Sequence, residues 1–195
     1  KLKYGRSVTA LTLLCEEETE PWTENDVKTV LKSLKTGKSR DPLGLTNEIF
    51  KNGGEDLVKS LTIITNKVRD TCIIPEIFKL MNVSAIYKGK GSKQDLDNDR
   101  GIFVGTVPNT VMQKLVLKET YDIIDENIGD SNVGARKGQN IRSHVWMVNS
   151  VMHEHATTKS RPIEISIMDY RKAFDIMSLE VTTNDMFEAG IKDKN

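Results

Sequence analysis

Apolar positions in the first part of the chain repeat with a helical period. Thr23 and Asp26 form a capping pair, and after them come four apolar residues at i, i+3, i+4 and i+7, namely Val27, Val30, Leu31 and Leu34. The pattern predicts an amphipathic helix that ends at Gly37. A short helix is predicted over 46–50. A second long amphipathic helix is predicted from the next stripe, Leu57, Leu61, Ile64 and Val68.

The middle of the chain predicts a β-hairpin followed by two helices. Val83 to Tyr87 has the composition of a strand, and Gly101 to Val104 has that of the returning strand. Helices are predicted over 109–127 and 140–156. The second is expected to bury one stripe, Ile141, Val145, Val148 and Met152. A last helix is predicted over 178–190.

Isoleucines alternate with other residues from Ile163 to Ile167, which predicts a strand that ends near Asp169. A carboxylate at the end of a buried strand loses hydration and needs a metal, a cation or a proton to compensate. The position therefore favours a divalent ion at Asp169. Strict alternation places Asp169 on the isoleucine face, so we expect either a substrate-facing surface there or a local bulge.

These elements predict a helix-rich α+β protein. Lys plus Arg and Asp plus Glu both number 28, and this balance counts mildly against a nucleic-acid binder. No apolar run approaches the length of a membrane helix, so no membrane partner is expected. Cys15 and Cys72 are far apart and are interpreted as reduced thiols, which predicts an intracellular protein, nuclear or cytoplasmic and not secreted.

Two basic segments allow two interpretations each. Gly37-Lys38-Ser39 is not a phosphate loop, because Lys32 stands where that motif needs glycine and a helix precedes it. The loop from Lys35 to Arg40 could contact a phosphate backbone, or it could be a solvated turn. The predicted hairpin carries Lys88, Lys90, Lys93 and Arg100. These cations could bind a triphosphate or a phosphate backbone, or they could merely keep a sheet edge soluble.

Four segments, in this order, resemble the reverse transcriptase domain of non-LTR, LINE-like retrotransposons. Leu34 to Leu45 is similar to the fingers motif "lk.gKs.gpDGi", and Asn98-Asp99-Arg100-Gly101-Ile102 is similar to "NYRPI/NYRGI". Ser131 to Gly138 stands where "QfGFr.g" is expected. Asp169-Tyr170-Arg171-Lys172-Ala173-Phe174-Asp175 resembles "D...AFD", the first catalytic motif of the palm.

The resemblance implies a partial right-hand polymerase fold, with a connector over 1–20, fingers over 21–158 and the start of the palm over 159–195. It implies joining of a dNTP to a DNA primer on an RNA template, with Mg²⁺, and assembly with the remainder of the polymerase chain. Asp169 and the Tyr170 carbonyl would ligate metal, and Phe174 would lie against the incoming sugar. Asp175 would orient the turn or cap the next helix. Triphosphate contacts are expected from Lys88 and Arg100, and nucleic-acid contacts from Lys35, Lys38, Arg40, Lys90, Lys93 and Arg136.

The sequence also departs from this family. The family needs a tyrosine-x-Asp-Asp hairpin, and no Asp-Asp pair occurs in the chain. Asp99 replaces the usual aromatic residue before Arg100, and Asn132-Val133-Gly134-Ala135 replaces the Gln-aromatic-Gly-Phe signature. We therefore expect an N-terminal polymerase fragment that is inactive by itself. Two alternatives stay open: a non-catalytic nucleic-acid-binding remnant, and a protein-contact domain in which Asp169 only caps a helix.

Overall fold

A computed structural model describes residues 20–134, 136–159, 163–170 and 173–191, which divide into two compact units. The N-terminal unit comprises the described residues up to Thr120, and the C-terminal unit comprises those from Tyr121 to Ile191. Most described residues are helical, and one small sheet has two strands. The α+β prediction is therefore confirmed in its coarse form. The predicted connector lies, except for Glu20, outside the described residues.

The elements from the N-terminal side are, in order, α1 Glu24–Ser33, α2 Asn47–Lys51, α3 Gly54–Thr71, α4 Glu76–Lys79, β1 Met81–Tyr87, a 3-10 turn Leu96–Asn98, β2 Asp99–Gly105 and α5 Val107–Asn127. Helix α5 begins two residues before the prediction, because Pro108 in a first turn needs no N–H partner. Helix α1 ends at Ser33 rather than Gly37, since Leu34 already has extended backbone angles.

Helix α1 is fixed at its start by the predicted capping box. The Asp26 amide donates to the Thr23 hydroxyl oxygen, and the Asp26 carboxylate accepts from the Thr23 amide at 2.9 Å. The same carboxylate pairs with Lys118 of α5 at 2.6 Å. These contacts lower the Asp26 pKa to about 2, the Lys118 bond being the largest cause.

The core of the N-terminal unit contains the whole predicted stripe of α1 but only part of that of α3, in which Leu61 and Val68 are buried and Ile64 is 40% exposed. Its buried side chains come from α1, α2, α3, α5 and the residues that flank α1; they are Trp22, Val27, Val30, Leu31, Leu34, Phe50, Val58, Leu61, Val107, Val111 and Leu115. The Trp22 backbone exchanges two hydrogen bonds with the Asn66 amide, and the Arg69 guanidinium lies 4.8 Å from the Trp22 ring centroid. Helices α1, α3 and α5 therefore share one apolar interior.

The β-hairpin is confirmed, with both strands longer than predicted. β1 and β2 pair antiparallel, with Met81 opposite Gly105, Val83 opposite Phe103 and Ile86 opposite Arg100. No residue of β1 or β2 is fully buried. The two-stranded sheet therefore presents side chains to solvent on both faces.

The C-terminal unit contains α6 Ile141–Glu154, a π-helical turn His155–Lys159, α7 Ala173–Ile176 and α8 Leu179–Glu188. The predicted stripe of α6 was expected to be buried, and that prediction is wrong. Ile141, Val145, Val148 and Met152 are all exposed, and α6 contains no buried residue. An amphipathic period records which side of a helix is apolar, but it does not supply the surface that covers that side.

The strand predicted over 163–169 is also wrong. Residues 163–170 have no regular secondary structure, and their side chains are exposed, with Ile167 at 89%. A strand needs a neighbour to receive its backbone hydrogen bonds, and no strand occurs in the described part of the C-terminal unit.

Within the described ranges, no helix has both the length and the apolar character required to cross a bilayer.

Candidate nucleic-acid interface

The loop between α1 and α2 displays three cations to solvent. Lys35, Lys38 and Arg40 are all exposed. Gly37 lies among them with a positive φ of 67°, a conformation that side-chain-bearing residues rarely adopt. The loop therefore carries the predicted basic residues on a turn that depends on this glycine.

The first half of this loop is held by the two neighbouring polar side chains of α2 and by its last lysine. Asn47 Nδ2 donates to the Lys35 carbonyl at 2.8 Å, and Lys51 Nζ donates to the Leu34 carbonyl at 2.9 Å. The Gly37 amide donates to Glu48 Oε1 at 2.6 Å, and this bond is the main reason why the Glu48 pKa is lowered. The backbone that carries Lys35 and Lys38 is thus fixed at three points.

The second half is organised by Asp41, which is only 5% exposed. Its Oδ1 accepts from the amides of Leu43 and Leu45 at 2.9 and 2.8 Å. Its Oδ2 accepts from the Val107 amide, the first residue of α5, at 3.1 Å. A buried carboxylate is tolerated when such donors replace water, and the N-terminal end of a helix favours negative charge. Asp41 therefore joins the basic loop to the start of α5.

Sequence reasoning missed this role of Asp41. The signal that could have found it is the segment Asp41-Pro42-Leu43-Gly44, in which an aspartate before a proline and a glycine is typical of a turn closed by its own carboxylate. The bond to Val107 spans 66 residues, so no local pattern predicts it.

The predicted triphosphate contacts, Lys88 and Arg100, lie on the β-hairpin. Arg100 is opposite Ile86, and Lys88 is two residues beyond Ile86, so the register directs both side chains to one face. The Lys88 amide donates to the Asn98 carbonyl at 2.8 Å, which extends the ladder past β1. Lys88 Nζ also donates to the Asp97 carbonyl at 2.7 Å. The hairpin therefore brings these two predicted residues together.

The other hairpin lysines, Lys90 and Lys93, are exposed at its tip. Lys93 Nζ lies 5.7 Å from the centroid of the Tyr87 ring, and the Tyr87 hydroxyl donates to the Gly91 carbonyl at 2.5 Å. Asp95 accepts from the Asp97 amide and so caps the 3-10 turn. Asp95 thus has a structural role in the connection between the two strands.

Arg136, predicted to contact nucleic acid, has an intramolecular partner in the C-terminal unit. Its Nε and Nη2 donate to the two carboxylate oxygens of Asp125 at 2.8 and 3.2 Å. Further bonds run to the Gly129 and Asn132 carbonyls at 3.4 and 3.3 Å. This pairing lowers the Asp125 pKa and raises the Arg136 pKa. Arg136 therefore organises its own turn.

The predicted metal ligands, Asp169 and Tyr170, are exposed in the irregular segment 163–170. Mg²⁺ held by one or two carboxylates takes its other ligands from water and substrate phosphates. In the portion of the chain that the structure describes, no group of three potential metal-ligating residues occurs. The side chains of Phe174 and Asp175 lie outside the described residues.

The candidate interface is therefore the set of exposed, sequence-predicted cations on the α1–α2 loop and the β-hairpin: Lys35, Lys38, Arg40, Lys88, Lys90, Lys93 and Arg100. No model of a known protein family matches this chain.

Proposed function

We propose that this chain is a fragment of an RNA-directed DNA polymerase, comprising the fingers and the start of the palm. The observation that carries the proposal is the Asp41 bond to Val107. Two of the motifs on which the family resemblance rests are the loop that contains Asp41 and the strand β2 that leads into Val107. The buried Asp41 carboxylate binds the amide two residues after β2, so the loop is joined to the chain just beyond the second motif.

The residues of this element suit a polyanionic partner. Three exposed cations lie on a loop whose backbone is held by Asn47, Glu48 and Asp41, so little backbone freedom is lost when a phosphate binds. Lys88 and Arg100 share a face of the adjoining hairpin and provide further donors for phosphate oxygens. In the proposed polymerase, the loop cations contact the nucleic-acid backbone, and Lys88 and Arg100 contact the triphosphate.

Catalysis in this proposal depends on residues that the chain does not contain. Asp169 and the Tyr170 carbonyl are the proposed contributions of this chain to Mg²⁺ binding, and the tyrosine-x-Asp-Asp motif supplies the remaining carboxylates. Bound Mg²⁺ would activate the primer hydroxyl and neutralise the triphosphate. We expect the chain alone to be inactive.

The experiment is primer extension on an RNA template with dNTPs and Mg²⁺. It compares the protein encoded by the reading frame continued past Asn195 with its Asp169→Ala variant. We expect extension by the first and none by the second, and an Asp175→Asn control separates the two acids of the motif. If the frame closes without a tyrosine-x-Asp-Asp segment, or if Asp169→Ala extends primers normally, the polymerase proposal is wrong.

A second candidate function is nucleic-acid binding without catalysis. The observation that favours it is that hydrogen bonds to Asp41 fix the basic loop, whereas the segment around Asp169 has no regular secondary structure. It predicts salt-dependent binding of RNA or DNA by the isolated chain. Binding without extension by the continued protein would select this candidate over the first.

A further inference from the structure

Phe103 is an aromatic side chain on the hairpin that the sequence analysis did not use. It lies in the middle of β2, and 64% of it is exposed. A large ring left in solvent on a strand forgoes the free energy that is gained when its apolar area is removed from water. The remaining residues of its face explain why it is uncovered.

On β2, the residues two positions before and after Phe103 are both glycine, Gly101 and Gly105. Side chains two apart share a face, so no side chain flanks the ring along its own strand. A Cβ placed on Gly101 would lie 3.1 Å from Phe103 Cε2, which shows that the ring leans over this glycine. Glycine weakens a strand and often marks a place where a ligand approaches the backbone closely.

The facing strand continues this open surface. Val83 is opposite Phe103 and is itself exposed, and Ala85 is opposite Gly101. Tyr87 ends this row toward the hairpin tip, where Lys93 lies over its ring. Asp99, opposite Tyr87, is the acid on this face of the ladder. The platform, defined as Met81, Val83, Ala85, Gly101, Phe103 and Gly105, is thus apolar and centred on one exposed ring.

We propose that this platform stacks a base of single-stranded nucleic acid on Phe103. The proposal deepens the proposed function, on which it rests. Charge favours this occupant over an apolar protein segment: Lys90 and Lys93 are exposed at the tip of the same hairpin, and Lys93 lies over the Tyr87 ring on the platform side. Bases stack on aromatic rings while lysines follow the phosphates, and this combination binds single strands with little sequence preference.

The test uses the whole chain and two labelled oligodeoxynucleotides of equal length, oligothymidylate and a fully abasic strand. Both have the same phosphates, but only the first has bases. We expect Phe103→Ala to weaken oligothymidylate binding by about fivefold or more, the lower range for loss of one stacked base. Binding of the abasic strand should not change. Phe103→Trp should restore oligothymidylate binding, and Phe103→Leu should not.

Two controls separate stacking from general damage. Ile73→Ala removes a comparably exposed apolar side chain outside the hairpin and should leave both affinities unchanged. Lys90→Ala should weaken both strands alike and reduce the salt dependence. Oligouridylate tests RNA in the same way, and a loss confined to RNA or to DNA assigns the strand that the platform takes.

Equal effects of Phe103→Ala on the base-containing and abasic strands, or no effect on either, would overturn the platform. If salt-dependent binding persists in that case, the proposed function stands without it. Absence of salt-dependent binding by the wild-type chain would overturn both proposals.

Discussion

The loop 34–45 and the segment 163–170 differ in how their sequence motifs become structure. Each contains an acid inside a motif of the polymerase resemblance, Asp41 in the first and Asp169 in the second. Asp41 is buried and accepts from three backbone amides, one of them 66 residues away. Asp169 is exposed in a segment without regular structure. A motif therefore takes a fixed shape only where the described chain also supplies its partners.

The largest effect is expected from removing the acid that organises the loop. Asp41→Ala leaves three buried or half-buried amides without their acceptor, and we expect the N-terminal unit to lose about 3 kcal/mol of stability. Urea unfolding measures this loss. Asp70→Asn, at an exposed position near the end of α3, should change stability by less than about 0.5 kcal/mol. Equal stability of the Asp41→Ala variant and the wild type would show that the loop does not depend on Asp41.

A matched pair of valines compares the two units directly. Val111 in α5 is 0% exposed, and Val148 in α6 is 44% exposed. Val111→Ala should destabilise the protein by about 2 kcal/mol through lost burial and the cavity left behind. Val148→Ala should cost less than about 0.5 kcal/mol. Urea unfolding measures both losses. Similar losses from the two variants would contradict the account, because they would mean that Val148 is buried against another surface.

The comparison also shows what the sequence could predict. The stripe of α1, the capping box at Thr23 and the hairpin were predicted, because each depends on residues close together in the chain; in the α3 stripe Leu61 and Val68 are buried, but Ile64 is exposed. The bond between Asp41 and Val107 was missed, since its partners are distant in sequence. The α6 stripe and the isoleucine alternation at 163–167 were read correctly as apolar patterns. Their burial was predicted wrongly, because periodicity does not identify the surface that covers it.

A smaller effect concerns pH and the capping box of α1. The Asp26 pKa is lowered to about 2, so its contribution to stability is complete above the unfolded value of 3.8. That contribution disappears as the pH falls from about 4 toward 2. We expect Asp26→Asn to cost about 1 kcal/mol at neutral pH, after allowance for solvent screening. The difference between wild type and variant in urea unfolding should shrink across that pH window. A difference that stays constant down to pH 2 would contradict this role of Asp26.

The smallest effect is local and lies in the C-terminal unit. Arg136→Ala removes the bonds to Asp125, Gly129 and Asn132, so the turn over 129–138 should exchange its amide hydrogens faster. Lys137 is a useful probe, because its amide donates to the Tyr121 hydroxyl at 2.7 Å. Nucleic-acid affinity should not change. A reduced salt dependence of binding in this variant would instead return Arg136 to the interface.

The most direct test of the central claim is the salt dependence of single-stranded RNA binding by the intact chain. The claim is that Lys35, Lys38 and Arg40 contact phosphates from a loop fixed by Asp41. The variant that changes all three to alanine should reduce the slope of log affinity against log salt by about 2, at about 0.7 per lost phosphate contact. An unchanged slope would contradict the account, because the loop would then be a solvated turn.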